Sequence, residues 1–261
     1  MINCKTLENP ALKNIRLFVC EDYDAMSEKA AAIVGGAMMQ KNDFILGLAT
    51  GSSPVGLYQG LIKQNKEGLL DFSKVRSYNL DEYYPIAPEN PQSYVYFMNE
   101  NLFDHVNIKK ENVHLPDGNA ADVEKACRDY EQVLVDLGGV DLQVLGIGSN
   151  GHIGFNEPCD EFVGPTHVVT LTENTIKDNS RFFNSADEVP RKAVSMGIGT
   201  IMNAKKIVLV ASGANKADAV KAALEGPVVP SVPASILQFH KDVTFVIDKE
   251  AASKLEFFKE V

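Results

Sequence analysis

Short apolar runs alternate with helical patterns along almost the whole chain. The runs at 15–19, 44–49, 75–80, 141–145, 168–171, 206–210 and 243–247 are mostly rich in Val, Ile and Leu without strict alternation. That pattern is expected of strands buried on both faces. Between them, residues 23–39, 55–64, 123–137 and 216–224 read as helices; in the last, Ala217, Val220, Ala223 and Leu224 recur at three- and four-residue spacing. The alternation predicts βαβ units, and hence an α/β fold: an open, mostly parallel, twisted sheet with helices on both faces. No linker, composition break or repeat divides the sequence, so residues 1–261 are read as a single domain. In such Rossmann-like sheets ligands sit beyond the carboxyl ends of the strands, which directs attention to the residues after each strand.

After the run 44–49 comes Thr50-Gly51-Ser52-Ser53-Pro54 and then a helical pattern. Small and hydroxylated residues just before a helix leave amides and hydroxyls for an anion, so this is a candidate phosphate cradle; an ordinary capped turn is the plainer reading. After 75–80 come the adjacent acids Asp81 and Glu82, candidate general bases, or simply an acidic loop. After 141–145 the stretch Gly146-Ile147-Gly148-Ser149-Asn150-Gly151 matches G-x-G-x-x-G. A dinucleotide fingerprint must open a helix, however, and here His152-Ile153-Gly154-Phe155-Asn156-Glu157-Pro158 follows, with Gly154 and Pro158 set to break one. The better reading is a glycine-rich loop that presents His152, Asn156 and Glu157 to a cleft. Imidazole titrates near neutral pH and a carboxylate can orient it. Asp81, His152 and Glu157 could together supply metal ligands, but no recognisable ligand spacing supports that, and no metal is expected.

Composition narrows the class. The chain is 45% hydrophobic and 23% charged, with no apolar run near the roughly 18 residues of a membrane span. Met1-Ile2-Asn3-Cys4-Lys5 lacks the basic-then-apolar layout of a signal peptide, so a cytoplasmic location is expected. The four cysteines Cys4, Cys20, Cys127 and Cys159 are scattered, and reduced thiols are the expectation. A net charge of −10 argues against nucleic-acid or anionic-membrane partners. It also means that a phosphate ester would need local cations and amides for its binding.

Several segments, in order, resemble the glucosamine-6-phosphate deaminase family. They are Leu48-Ala49-Thr50-Gly51-Ser52-Ser53-Pro54, Asn79-Leu80-Asp81-Glu82-Tyr83, the stretch from Gly148 to Pro158, Asn179-Ser180-Arg181-Phe182-Phe183, Gly197-Ile198-Gly199-Thr200 and Pro233-Ala234-Ser235-Ile236-Leu237-Gln238. The resemblance implies an open α/β fold and conversion of glucosamine 6-phosphate to fructose 6-phosphate and ammonia, without metal or organic cofactor. It further implies that Asp81 moves a proton between C2 and C1. His152 would be the ring-opening base, supported by Glu157 and the residue at 150. Thr50, Gly51, Ser52 and Ser53, with Arg181 and Lys216, would hold the phosphate. Two local cations thus answer the charge problem.

The chain departs from the family pattern at Asn150, where many relatives carry Asp. Asn there can hold the imidazole by a hydrogen bond but cannot stabilise imidazolium as a carboxylate does, so altered pH dependence is expected. The stretch Gly164-Pro165-Thr166-His167-Val168-Val169 lacks the Arg and Lys that serve an allosteric phosphate site in some relatives, and hyperbolic kinetics are expected. The substrate partner expected is a small phosphosugar. The oligomeric state is left open, a homo-oligomer included. Rival readings are a galactosamine-6-phosphate deaminase, a 6-phosphogluconolactonase and a non-catalytic sugar-phosphate sensor; the last should carry a DNA-binding module, for which an N-terminal extension of roughly 14 residues is too short.

Overall fold

The computed structural model describes residues 3–9, 12–183, 185–257 and 259–260; Met1 and Ile2 of the N-terminal stretch discussed above lie outside them. The pair β1 (Cys4–Glu8) and β2 (Ile15–Cys20) leads into α1 (Tyr23–Met38). Then come β3 (Ile45–Leu48), α2 (Val55–Lys66), β4 (Arg76–Asn79), β5 (Asp81–Tyr84), α3 (Tyr94–Asn101) and β6 (Val113–His114). They are followed by α4 (Val123–Asp136), β7 (Leu142–Leu145), β8 (His167–Thr170), α5 (Glu173–Asn179), β9 (Lys192–Ser195) and α6 (Ile198–Met202). Last in order are β10 (Ile207–Ala211), α7 (Ala217–Glu225), β11 (Val243–Asp248) and β12 (Lys259–Glu260).

The main sheet has nine strands in the order β12-β1-β2-β11-β10-β7-β3-β4-β6. From β2 to β6 all neighbours are parallel, and β1 is antiparallel to both β2 and β12. Strands β3, β7, β10 and β11 are buried along their whole length, which is why their sequences run apolar instead of alternating. The helices begin where capping chemistry says they should: Asp22, Asp122 and Thr172 each accept an amide hydrogen in the first turn of α1, α4 and α5. Helix α7 buries Ala217, Val220, Ala223 and Leu224, the face expected from their spacing. Among the described residues no helix is long and apolar enough to cross a membrane.

From β3 the chain moves outward through β4 to β6, then returns to place β7, β10 and β11 on the other side of β3. The crevice of this open sheet therefore lies between the carboxyl ends of β3 and β7. At that crossing Gly47 faces Gln143, and a methyl group on Gly47 would lie 2.0 Å from the Gln143 side chain.

Three expectations are corrected. The run 168–171 does not join the main sheet; β8 belongs to a separate antiparallel sheet, β5-β9-β8, whose Tyr83, Val169 and Ala193 form a second apolar cluster with Phe155 and Ile176. Asp81 and Glu82 are not a loop either, because the chain leaves β4 at Asn79 and enters the second sheet as β5. Finally, Cys4 and Cys20 are not reduced thiols but a disulfide, since antiparallel pairing of β1 with β2 sets them opposite each other with Cα atoms 3.9 Å apart. A separation of 16 residues along the chain conceals that pairing. Cys127 and Cys159 are free thiols, the first buried and the second exposed.

Candidate active site

A cleft of about 520 Å³ opens over the carboxyl ends of β3, β4 and β7. It is lined by Thr50, Gly51, Ser52, Ser53, Asp81, His152, Arg181 and Lys216, so eight of the ten sequence-predicted residues meet there. The other two, Asn150 and Glu157, are not among its lining residues and lie behind the wall.

The loop after β3 turns at Gly51, whose φ of +102° favours glycine. Tyr23 pins the loop from α1: its hydroxyl donates to the Ser52 carbonyl at 2.9 Å and accepts the Gly56 amide at 2.8 Å. Thr50 to Ser53 are thereby held at the N-terminal end of α2, where the helix dipole favours an anion.

Asp81 sits where the chain crosses between sheets, paired with Ser195 of β9 and only 6% exposed. Its carboxyl is pushed up to about 8, first by burial and then by the charge of Glu82. Glu82 is also buried, but its oxygens accept the amides of Tyr83 and Tyr94 at 2.9 Å and of Val95 at 3.0 Å. Burial raises its pKa to about 7 against the pull of these three amides. Two adjacent acids thus have distinct tasks. Glu82 ties β5 to the first turn of α3, while Asp81 faces the cleft.

The segment 146–157 contains no helix, as Gly154 and Pro158 required. A tight turn closes it: the Gly148 amide donates to the His152 carbonyl at 2.9 Å and the Gly151 amide to the Gly148 carbonyl at 3.0 Å. The imidazole of His152 lies directly over Gly148, where an added methyl would sit 2.4–2.5 Å from ring atoms. Nδ1 of His152 stands 3.5 Å from Oε2 of Glu157, an ion-pair distance, and among the described residues it makes no hydrogen bond. Oε2 of Glu157 accepts from Asn150 Nδ2 at 2.8 Å, and Oε1 accepts from the hydroxyls of Thr172 and Thr175. Burial opposes the charge on Glu157, but His152, Thr175 and Asn150 outweigh it and hold the carboxyl down at about 2.

Two expectations for this loop change. Of His152, Asn156 and Glu157, only His152 lines the cleft; Asn156 and Glu157 are buried behind it, 6% and 8% exposed. Asn150 does not hold the imidazole. Its Nδ2 holds Glu157, and its Oδ1 accepts the His152 backbone amide at 3.2 Å. The chain turns at Gly151, whose φ of +89° favours glycine, between Asn150 and the His152 it supports.

The two cations come from opposite sides. Arg181 lies in the 3-10 turn Ser180–Phe182 after α5, and Lys216 ends the 3-10 turn Ala214–Lys216 that leads into α7. Asp248, at the end of β11, accepts the Gly213 amide at 2.9 Å and the Ser212 hydroxyl, fixing the turn that carries Lys216. Among the described residues no group of three or more His, Cys, Asp or Glu side chains is placed to hold a metal ion.

The model of the family described as glucosamine-6-phosphate isomerases/6-phosphogluconolactonase matches residues 21–246. The chain belongs to this family. Similar members include the glucosamine-6-phosphate deaminase of Clostridioides difficile (strain 630), 57% identical over 92% of this chain and 97% of its own. That of Thermoanaerobacter sp. (strain X514) is 55% identical over 95% and 98% of the two chains. A solved structure described as a monomeric glucosamine-6-phosphate deaminase matches with a TM-score of 0.89 at 47% identity, over 91% of this chain and 98% of its own. The 6-phosphogluconolactonase of Trypanosoma brucei, at 20% identity, TM-score 0.71 and coverage of 92% and 98%, shares the fold.

Sequence reasoning on this isomerase/lactonase family member missed Tyr83, Tyr94, Thr175, Asn179 and Phe183, all of which line the cleft. Asn179 and Phe183 flank Arg181 in a quoted motif, so proximity in sequence was the signal for them. Nothing local marked Tyr94 or Thr175. They reach the cleft because Glu82 anchors the start of α3 and Glu157 the start of α5.

Proposed function

We propose that the chain converts glucosamine 6-phosphate, with one water, to fructose 6-phosphate and ammonia. The observation that carries this reading is the placement of Asp81: a buried carboxyl with raised proton affinity, in one cleft with the His152–Glu157 pair and the Thr50–Ser53 loop. The deaminases at 57% and 55% identity support it.

The phosphate is assigned to Thr50, Gly51, Ser52, Ser53, Arg181 and Lys216. Binding at that end positions the small reacting end, which offers few contacts of its own. His152 takes the proton of the anomeric hydroxyl and returns one to the ring oxygen, opening the sugar; Glu157 steadies the ring through both states. The C2 proton is then acidified by the neighbouring carbonyl. Asp81 removes it and delivers it to C1, giving a C2 imine that water hydrolyses to the ketone and ammonia. Asp81, with a raised pKa, both accepts and releases a proton near neutral pH, as such a shuttle requires.

An ammonia-release assay on glucosamine 6-phosphate and galactosamine 6-phosphate, with 6-phosphogluconolactone hydrolysis as control, tests the reading. Turnover of the gluco substrate above the other two is expected. Lactone hydrolysis without ammonia release would overturn it, and preference for the galacto substrate would reassign the specificity.

A further inference from the structure

Glu157 is gripped from two sides. Its Oε2 faces His152 and is fixed by Asn150 from the same loop, whereas its Oε1 is held from the start of α5 by Thr172, at 3.2 Å, and by Thr175, whose hydroxyl lies closer. Thr175 is 3% exposed. A buried threonine in the first turn of a helix commonly returns its hydroxyl to its own backbone. Here that task is filled, since Thr172 caps the helix by accepting the Thr175 amide at 3.3 Å. The Thr175 hydroxyl is therefore not needed for the helix, and it is spent on the carboxylate.

At its other end α5 is fixed to the cleft as well. Asn179, one turn beyond Thr175, donates to the Tyr83 hydroxyl at 2.9 Å, and Arg181 follows two residues later. One short helix thus connects the group behind His152 to the arm that carries a phosphate cation.

We propose that Thr175 is a positioning residue for the imidazole pair: its hydroxyl holds the Glu157 carboxylate beside Nδ1 of His152, 3.5 Å away, and ties that pair to the helix leading to Arg181. The proposal deepens the functional reading above and rests on it for its kinetic arm. Thr175 acts on the reaction through Glu157, so its loss falls on turnover and leaves substrate affinity nearly intact.

Thr175→Val keeps the shape of the side chain and removes only the hydroxyl, and Thr175→Ser keeps the hydroxyl. In ammonia release from glucosamine 6-phosphate, Thr175→Val is expected to lose about tenfold or more in kcat, the scale of one hydrogen bond to a charged group. KM should change by less than about twofold, and Thr175→Ser should restore turnover. Nitrogen-15 NMR of the substrate-free protein reads the pair without the reaction. The wild type and Thr175→Ser should carry the His152 proton on Nδ1, facing the carboxylate, and Thr175→Val should show mixed tautomers. Wild-type kcat and imidazole signals in Thr175→Val would overturn the proposal. So would a rise in KM alone, or a loss that Thr175→Ser fails to rescue while the imidazole signals stay unchanged. If Thr175→Val does not fold by circular dichroism, Thr175→Ser against Thr175→Ala supplies the same comparison. If the wild type itself releases no ammonia, the functional reading fails, and the imidazole signals still decide the role of Thr175.

Discussion

Glu82 accepts three backbone amides, while Asp81, its neighbour in the same short strand, faces the cleft with its carboxyl raised by burial and by that neighbour. The strand alternation that sends them to opposite sides makes one a structural clamp and turns the other to the cleft, where the proposed reaction needs a base. For Asp81, the folded protein favours the protonated form. Its contribution to stability is fully present below the ordinary carboxylate range and is lost as pH rises toward about 8. Asp81→Asn should therefore abolish ammonia release, by about 10³-fold or more, and should melt increasingly above wild type as pH rises through that window. Thermal melts across pH 4 to 8.5, about the span between the two states' pKa values, check the second half; a wild type more stable than the variant at the alkaline end would contradict it.

The same group sets the pH–rate profile. A base must be ionised in the free enzyme, so kcat/KM should rise through about 8. Glu82→Gln removes the neighbouring charge and should move this limb to lower pH. It should also lower the melting temperature, because a Gln side chain cannot accept all three amides and one unmet amide costs about 1–3 kcal/mol.

Position 150 carries the second pH prediction. Asn150 Nδ2 lies 2.8 Å from Glu157 Oε2, so Asn150→Asp sets a carboxylate against a carboxylate, and one of the two must hold a proton into the neutral range. The rise of kcat/KM should then show a second ionisation, in the neutral range, below the one set by Asp81. A superimposable profile would show that the pair does not govern turnover.

Gly148 provides the floor for the imidazole. Gly148→Ala places a methyl 2.4–2.5 Å from the ring and must displace it, with the backbone otherwise unchanged. Turnover should fall by about 10²-fold while circular dichroism stays native, since losing a positioned acid–base group costs about that much. A variant at full activity would remove His152 from the mechanism.

The proposed phosphate cation Arg181 would offset the net charge of −10 locally. Arg181→Ala should raise KM by about 10–100-fold, the value of hydrogen bonds to a charged ester, with a smaller change in kcat. Competitive inhibition by inorganic phosphate, measured alongside, should weaken in step.

The sequence determined on its own the parallel sheet and the position of the cleft, and its local patterns marked the Thr50–Ser53 turn, Asp81 and His152, whereas Arg181 and Lys216 came only from the family resemblance. Those features are local: apolar runs make buried strands, a Gly-Ser-Ser-Pro stretch makes a turn before a helix, and Gly154 with Pro158 forbids a helix after Gly151. Only the tertiary structure decided what depends on contacts between distant segments. The second sheet turned Asp81 and Glu82 from a loop into β5, and antiparallel pairing joined Cys4 to Cys20. The grip of Thr172 and Thr175 on Glu157 links residues 15 and 18 positions apart, through a helix whose sequence carries no mark of the carboxylate it holds. Burial, which raises the Asp81 pKa, and hydrogen bonding, which lowers that of Glu157, are properties of packed surroundings. Two carboxylates alike in sequence acquire opposite acidities because one is desolvated beside a like charge and the other is met by donors on both oxygens.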